Sequence, residues 1–280
     1  MQSPPDLTDR AALRRHRARA RRAPELFLHA LAADEIQERL IEVNRTFTSP
    51  AIVTGFPEPW QRGFPGAALV EDDETLTLEH GAHDLVIHAL CLHWANDPVG
   101  QLVQCRRALR PDGLFLGVLF GGRSLHELRA ALAEAEVALT GGLSPRVLPM
   151  GEIRDLGGLL QRAGFALPVA DSALHMVSYQ TPFHLMRELR AMGETNALAA
   201  RHRRTAPRAL FAEAARRYAG AHAGPDGRIP ATAELIYLAG WAPADTQPRP
   251  LRPGSARARL AEALGTTERM LGDGNGQGAD

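Results

Sequence analysis

One short loop holds the densest set of reactive side chains in the chain: His93, Trp94, Asn96 and Asp97, closed by Pro98. Histidine is the side chain whose ordinary pKa lies nearest neutral pH, so His93 is the best general-base candidate. The other reading of His93-Trp94 is a strand-end pair that packs the loop. Asn96 or Asp97 then caps the next helix, with Pro98 at its first position. Both readings of His93 stand on the residues alone. Cys91, just upstream, has the setting of a small buried apolar residue rather than a nucleophile. His80, His83, His88 and His93, with Asp84 and Asp97 near, contain two histidines and a carboxylate, the inventory of one kind of metal site. Their spacing fits no ligand motif, and His88 falls inside a buried strand, so no metal is expected. All 32 basic residues are arginine, which removes Schiff-base and lysine-base chemistry.

The elements around the loop must hold it at the edge of a sheet. Residues 84–92 form a short apolar run of the kind a parallel sheet covers on both faces. Residues 99–109 have helical spacing of Val99, Leu102, Val103, Ala108 and Leu109, with Arg106, Arg107 and Arg110 near the negative end of the dipole. Pro111-Asp112-Gly113 turns the chain, and residues 114–120 return to the sheet. This β-loop-α-turn-β unit places His93 at the carboxyl end of a strand, where open α/β sheets bind ligands.

Further elements follow from period and breakers. Helices are predicted over 24–44, 124–140, 151–163, 183–191 and about 206–218. Strands are predicted over 51–54, 67–70, 169–179 and 233–241. The spacing gives one α/β domain over residues 24–265, a basic N-terminal arm over 1–23 and a disordered glycine-rich tail over 266–280. In the arm, seven arginines face only Asp6 and Asp9. It reads as a solvated helix packed loosely on the domain, a partner-binding arm or a targeting segment. The formal net charge is zero, so the chain as a whole lacks the signature of nucleic-acid binding. No window approaches the apolar length of a membrane span. Cys91 and Cys105 carry no disulfide or metal spacing, which fits a reducing cytoplasm.

The run from the Leu92-His93-Trp94-x-Asn96-Asp97 loop to Pro111-Asp112-Gly113 resembles the back half of class I S-adenosylmethionine-dependent methyltransferases. It is most similar to the branch of the biotin-pathway carrier-protein O-methyltransferase and the mitochondrial methyltransferase-like assembly factor of respiratory complex I. Gly141-Gly142-Leu143-Ser144-Pro145, Asp155-Leu156-Gly157, Ala163-Gly164-Phe165, Met192-Gly193-Glu194-Thr195-Asn196 and Ile229-Pro230-Ala231-Thr232 resemble the assembly-factor subgroup. The likeness runs from about Asp84 to Leu264.

The resemblance implies a Rossmann-like, mostly parallel sheet with an antiparallel last strand. A helical insertion, about 182–224 here, would roof the substrate site. It implies S-adenosylmethionine as cofactor and methyl transfer to an acceptor, or a non-methylating protein serving a client such as a respiratory-complex subunit. Arginine hydroxylation, associated with some proteins of that branch, would need a metal or another oxidant. Gly55, Glu71, Asp72, Leu92 and Trp94 are the implied cofactor contacts. Trp94 would stack on the adenine or shield the sulfonium.

The cradle departs from the family's Asp-x-Gly-x-Gly-x-Gly. The corresponding residues are Val53-Thr54-Gly55-Phe56-Pro57-Glu58-Pro59-Trp60, with one glycine and two prolines that lack amide donors. About forty residues separate Ala51 from His93, too few for two further helix–strand steps. One βα step is therefore expected to be missing, with Glu71–Glu74 following the third strand. That acidic run is either a cofactor contact or a solvated turn. The altered cradle predicts weak or no cofactor binding.

Overall fold

A computed structural model describes residues 5–248. Within it, strand residues alternate between two apolar faces, as the two-residue period of a strand requires. Ala51, Val53, Val86 and Phe115 point to one face, with Leu102, Cys105 and Leu160. Ile52, Leu85, Ile87 and Leu116 point to the other, with Ala33, Ile36 and Trp60. A sheet covered on both sides needs apolar residues at nearly every position, which explains the unbroken run before the loop.

The strands are β1 (Pro50–Thr54), β2 (Ala68–Val70), β3 (His83–Ala89), β4 (Leu109–Phe120), β5 (Ala166–Tyr179) and β6 (Ile229–Trp241). They lie in the order β2-β1-β3-β4-β6-β5. The first four are parallel, and β6 runs antiparallel to both of its neighbours. The helices are α1 (Arg10–Ala20), α2 (Phe27–Val43), α3 (Pro57–Gly63), α4 (Pro98–Ala108), α5 (His126–Thr140), α6 (Ile153–Arg162), α7 (Pro182–Ala191) and α8 (Arg208–His222). The α/β sheet with one antiparallel strand is the Rossmann-like class expected. The helices α7 and α8 lie between the last two strands, where the insertion is predicted.

Several boundaries differ for physical reasons. The strand predicted over 84–92 ends at Ala89, because Leu90 takes a left-handed backbone at φ 49°. Leu92–Trp94 then make one 3-10 turn. β4 begins at Leu109 and passes through Pro111-Asp112-Gly113 as an irregularity, with Asp112 at φ 61°. The pairing slips there, from His83 opposite Leu109 to Leu85 opposite Leu114. Asp97 is the N-cap of α4, accepting from the Gly100 amide at 2.8 Å, with Pro98 in the first turn.

The front half is short, as expected, but the missing piece is different. β2 pairs directly with β1, Ala51 opposite Ala68, which is the place of a second strand in a 3-2-1-4 order. Among the described residues the absent strand is the outer one. Glu71–Glu74 therefore follow the second strand, not the third.

The N-terminal segment is the larger correction. Residues 10–20 are not a separate arm or a loosely packed helix; Ala12, Leu13, Arg17 and Ala20 of α1 are buried. Leu13 packs with Trp94, Leu148 and Leu198. The segment before it is fastened at both sides. Thr8 donates its amide to Asn96 Oδ1 at 2.8 Å and forms a bridge with Leu198. Asp9 caps α1 through the Ala12 amide. The predicted tail, 266–280, and the domain end at 265 lie outside the described residues.

Candidate functional site

β1 and β3 both end at the same sheet edge, and their following turns bring Gly55 and the Leu92–Trp94 turn together. Gly55 does stand after β1, and a helix does follow it. Pro57 starts α3, where its missing amide would have no intrahelical partner anyway. Pro57 and Pro59 nevertheless remove two of the first-turn donors that a cofactor would meet. Phe56 and Trp60 turn inward and are buried. Trp60 Nε1 donates to His29 Nδ1 at 3.2 Å, and the His29 ring meets Phe56 edge-on.

Arg17 of α1 fills the space above this turn. A Cβ on Gly55 would lie 2.6 Å from Arg17 Cζ. The same guanidinium is paired with the carboxylate of Asp72, and each side chain is only 6% exposed. Arg10 adds a second contact to Asp72 at 3.4 Å, and Arg21 donates to the Gly55 carbonyl at 2.9 Å. Burial works against the Arg17 charge; Asp72 first, together with Glu194 and other neighbours, outweighs it and holds the proton more tightly than usual. Asp72 is thus not a solvated turn residue. Glu71 is exposed and only reaches Arg21 at 4.0 Å.

A cofactor held here would need the open face of Gly55, free amides after it and a carboxylate for its ribose. Arg17 covers the first and neutralises the third, and the prolines thin out the second. As placed, the residues do not fit S-adenosylmethionine.

His93 and Trp94 lie on the far side of this closure, joined by a residue outside the predicted set. Glu194 Oε2 accepts from Trp94 Nε1 at 2.9 Å and from His93 Nε2 at 3.2 Å. His93 Nδ1 is buried with no partner among the described residues, and its ring meets Phe120 edge-on. Burial pushes the Glu194 carboxyl up. His93, Arg17 and Trp94 together outweigh it and hold the group below the usual carboxylate range. Glu194 stands in the Met192-Gly193-Glu194 motif; its link to His93, 101 positions away, is tertiary and has no local signal. Gly193 has φ +78°, and a Cβ there would lie 2.9 Å from Phe56. Leu92 is buried in the core below the turn.

The other histidines do not converge. His88 Nε2 bonds Gln101 Oε1 at 2.8 Å, and His83 meets the Ser49 carbonyl. Burial drags the His88 imidazole down to about 4, so it is neutral. Among the described residues no three His, Cys, Asp or Glu side chains gather as a metal centre would need. Burial pushes the Cys91 thiol well up, away from nucleophilic use.

Glu194 and Trp94 also line a cavity of about 740 Å³, walled by α5, α7 and α8 and the ends of β5 and β6. Its wall is mostly apolar, with Leu128, Leu132, Val177, Leu189 and Phe211 prominent. The volume lies in the range of small-molecule sites. The site therefore has a closed half beside Gly55 and an open half beneath the inserted helices.

Residues 27–117 match the family model described as a methyltransferase domain. The arginine-hydroxylase NDUFAF5, mitochondrial, of Homo sapiens is 38% identical over 210 residues, covering 75% of this chain and 60% of that protein. Its counterpart of Danio rerio is 37% identical, covering 71% and 61%. The malonyl-[acyl-carrier protein] O-methyltransferase of Xylella fastidiosa is 36% identical, covering 64% and 58%. The chain spans about three fifths of the length of these relatives. Residues 27–117 thus match a methyltransferase domain, and most of the chain is similar in sequence to this branch of relatives.

Proposed function

We propose that this chain is a methyltransferase-family protein acting on an acceptor held in the cavity beneath α7 and α8, with its cofactor seat closed by α1. The observation that carries this reading is Glu194. Its carboxylate faces the open cavity, is held by His93 and Trp94, and lies within the field of Arg17. His93 is the candidate base, linked to the cavity through Glu194, which accepts from its Nε2 and lines the wall. The methyltransferase-domain match supports S-adenosylmethionine as cofactor; access to it requires Arg17 to leave Gly55.

Calorimetric titration of S-adenosylmethionine and S-adenosylhomocysteine tests this, on the full chain and on Arg17→Ala. The expected result is weak binding by the full chain and at least tenfold tighter binding by the variant. No binding by either would remove methyl transfer from the reading.

A second reading is favoured by the cradle itself: two prolines and two buried aromatics stand where close backbone approach is needed. A non-methylating protein that kept the fold would serve a protein client, such as a respiratory-complex subunit. The relatives named as arginine hydroxylases support a client of that kind. Pull-down of such subunits by the full chain, with no cofactor bound, is its expected signature. A reducing cytoplasm is the proposed setting, supported by two buried free thiols, Cys91 and Cys105. No described helix is long and apolar enough to cross a membrane.

A further inference from the structure

The cavity beneath α7 and α8 is apolar inside and cationic at its mouth. Arg187 and Arg190 of α7 and Arg208 of α8 line that mouth and are exposed. None makes a side-chain hydrogen bond or ion pair with a described residue, although most other arginines around the site do. Arg146, also on the wall, is held by Glu136 at 2.6 Å and is not available. Three exposed guanidiniums without a described partner thus stand on the wall of an apolar chamber, where an anion would pair with them.

The inner end has the opposite sign. Glu194 faces the chamber there, and its carboxyl is held in the charged form by His93, Arg17 and Trp94. An anionic head is therefore repelled from the inner end and attracted to the mouth. The rest of the wall is mostly apolar, with Leu128, Leu132, Leu185 and Leu189, and suits an apolar chain.

From this polarity we propose that the chamber binds an amphipathic monoanion: an unbranched saturated chain, inserted tail first, with a terminal carboxylate paired to Arg187, Arg190 and Arg208. The inference rests on the cavity as the binding site of the proposed function, but not on methyl transfer.

The test is calorimetric titration of the full chain with dodecanoate below its micellar concentration, beside dodecyltrimethylammonium, which has the same tail and the opposite charge. One dodecanoate per chain is expected, with the cation binding at least tenfold more weakly. Arg187→Gln/Arg190→Gln/Arg208→Gln is expected to weaken dodecanoate about tenfold, at an unchanged melting temperature, since the three side chains are exposed. Val147→Trp, which adds bulk to the wall, is expected to abolish binding. If that variant fails to fold, the arginine variant decides. Absence of dodecanoate binding, equal binding of both amphiphiles, or an unaffected arginine variant would overturn the proposal. Because S-adenosylmethionine is titrated separately, failure of either site is read independently of the other.

Discussion

The guanidinium of Arg17 stands where a side chain on Gly55 would stand, 2.6 Å from the position of its Cβ. An arginine from an N-terminal helix thus covers the one glycine left in the cradle. The same group is ion-paired with Asp72, which is itself buried and also contacted by Arg10.

Arg17→Met tests the worth of that pair. Removing one partner of a buried ion pair leaves an uncompensated charge, at a cost of about 3 kcal/mol. Arg10 remains beside Asp72 and softens the loss. Urea unfolding is expected to show it, with Asp72→Leu added to Arg17→Met recovering part of the stability. A double variant no better than Arg17→Met alone would mean that the pair is not the source.

Asn96 ties the start of α1 to the His93 loop, accepting from the Thr8 amide and donating to its carbonyl at 3.2 Å. Asn96→Ala should cost about 1–2 kcal/mol and loosen this segment first. Limited trypsin digestion reads this directly, because α1 contains five arginines after Asp9. Faster cleavage within 10–20 is expected; an unchanged digestion pattern would count against the fastening.

Gly193→Ala combines two penalties. The backbone has φ +78°, which costs a non-glycine residue about 1–2 kcal/mol, and the new methyl would lie 2.9 Å from Phe56. Lower stability by circular-dichroism melting is expected, with a shift of tryptophan emission as Phe56 and its neighbours move. A melting temperature equal to the parent's would show that Phe56 yields freely.

Acid should weaken the fold before the carboxylates titrate. His29 and His88 are buried, and burial drags each imidazole down to about 4. An unfolded histidine titrates near 6.5, so between these values the unfolded chain binds more protons than the folded one. Stability is full above pH 6.5 and falls as pH drops toward 4, by on the order of 3 kcal/mol for each histidine. Unfolding at pH 7.5, 6 and 5 measures the slope, and His88→Gln should flatten it. A stability that is level from pH 7 to 5 would contradict the buried neutral state.

Much of the sheet edge is legible in the sequence because its signals are local. The apolar run before Leu90, the Asp97 cap with Pro98, and the Pro111-Asp112-Gly113 turn each act within a few residues. The insertion between β5 and β6 is legible for the same reason, through its helical spacing. What is hidden is tertiary pairing. Seven arginines in a row of small residues look solvated, and nothing near Arg17 marks Asp72, 55 positions on, as its partner. Glu194 was likewise visible only as part of a motif, since its two donors lie 100 and 101 positions away. Gly55 and Asp72 both meet Arg17, an arginine of the same chain.

The choice of arginine at position 17 decides how the closed half can open. A guanidinium keeps its proton at any cellular pH, so the arm of this latch cannot be discharged by mild acid or base. It does not melt away by titration, as a histidine or a buried lysine would. Opening has to displace α1 bodily, against the Asn96 and Leu198 fastenings at its start, or to offer Arg17 a better anion than Asp72. The latch answers to a competitor or to a pull on the helix, not to discharge of Arg17.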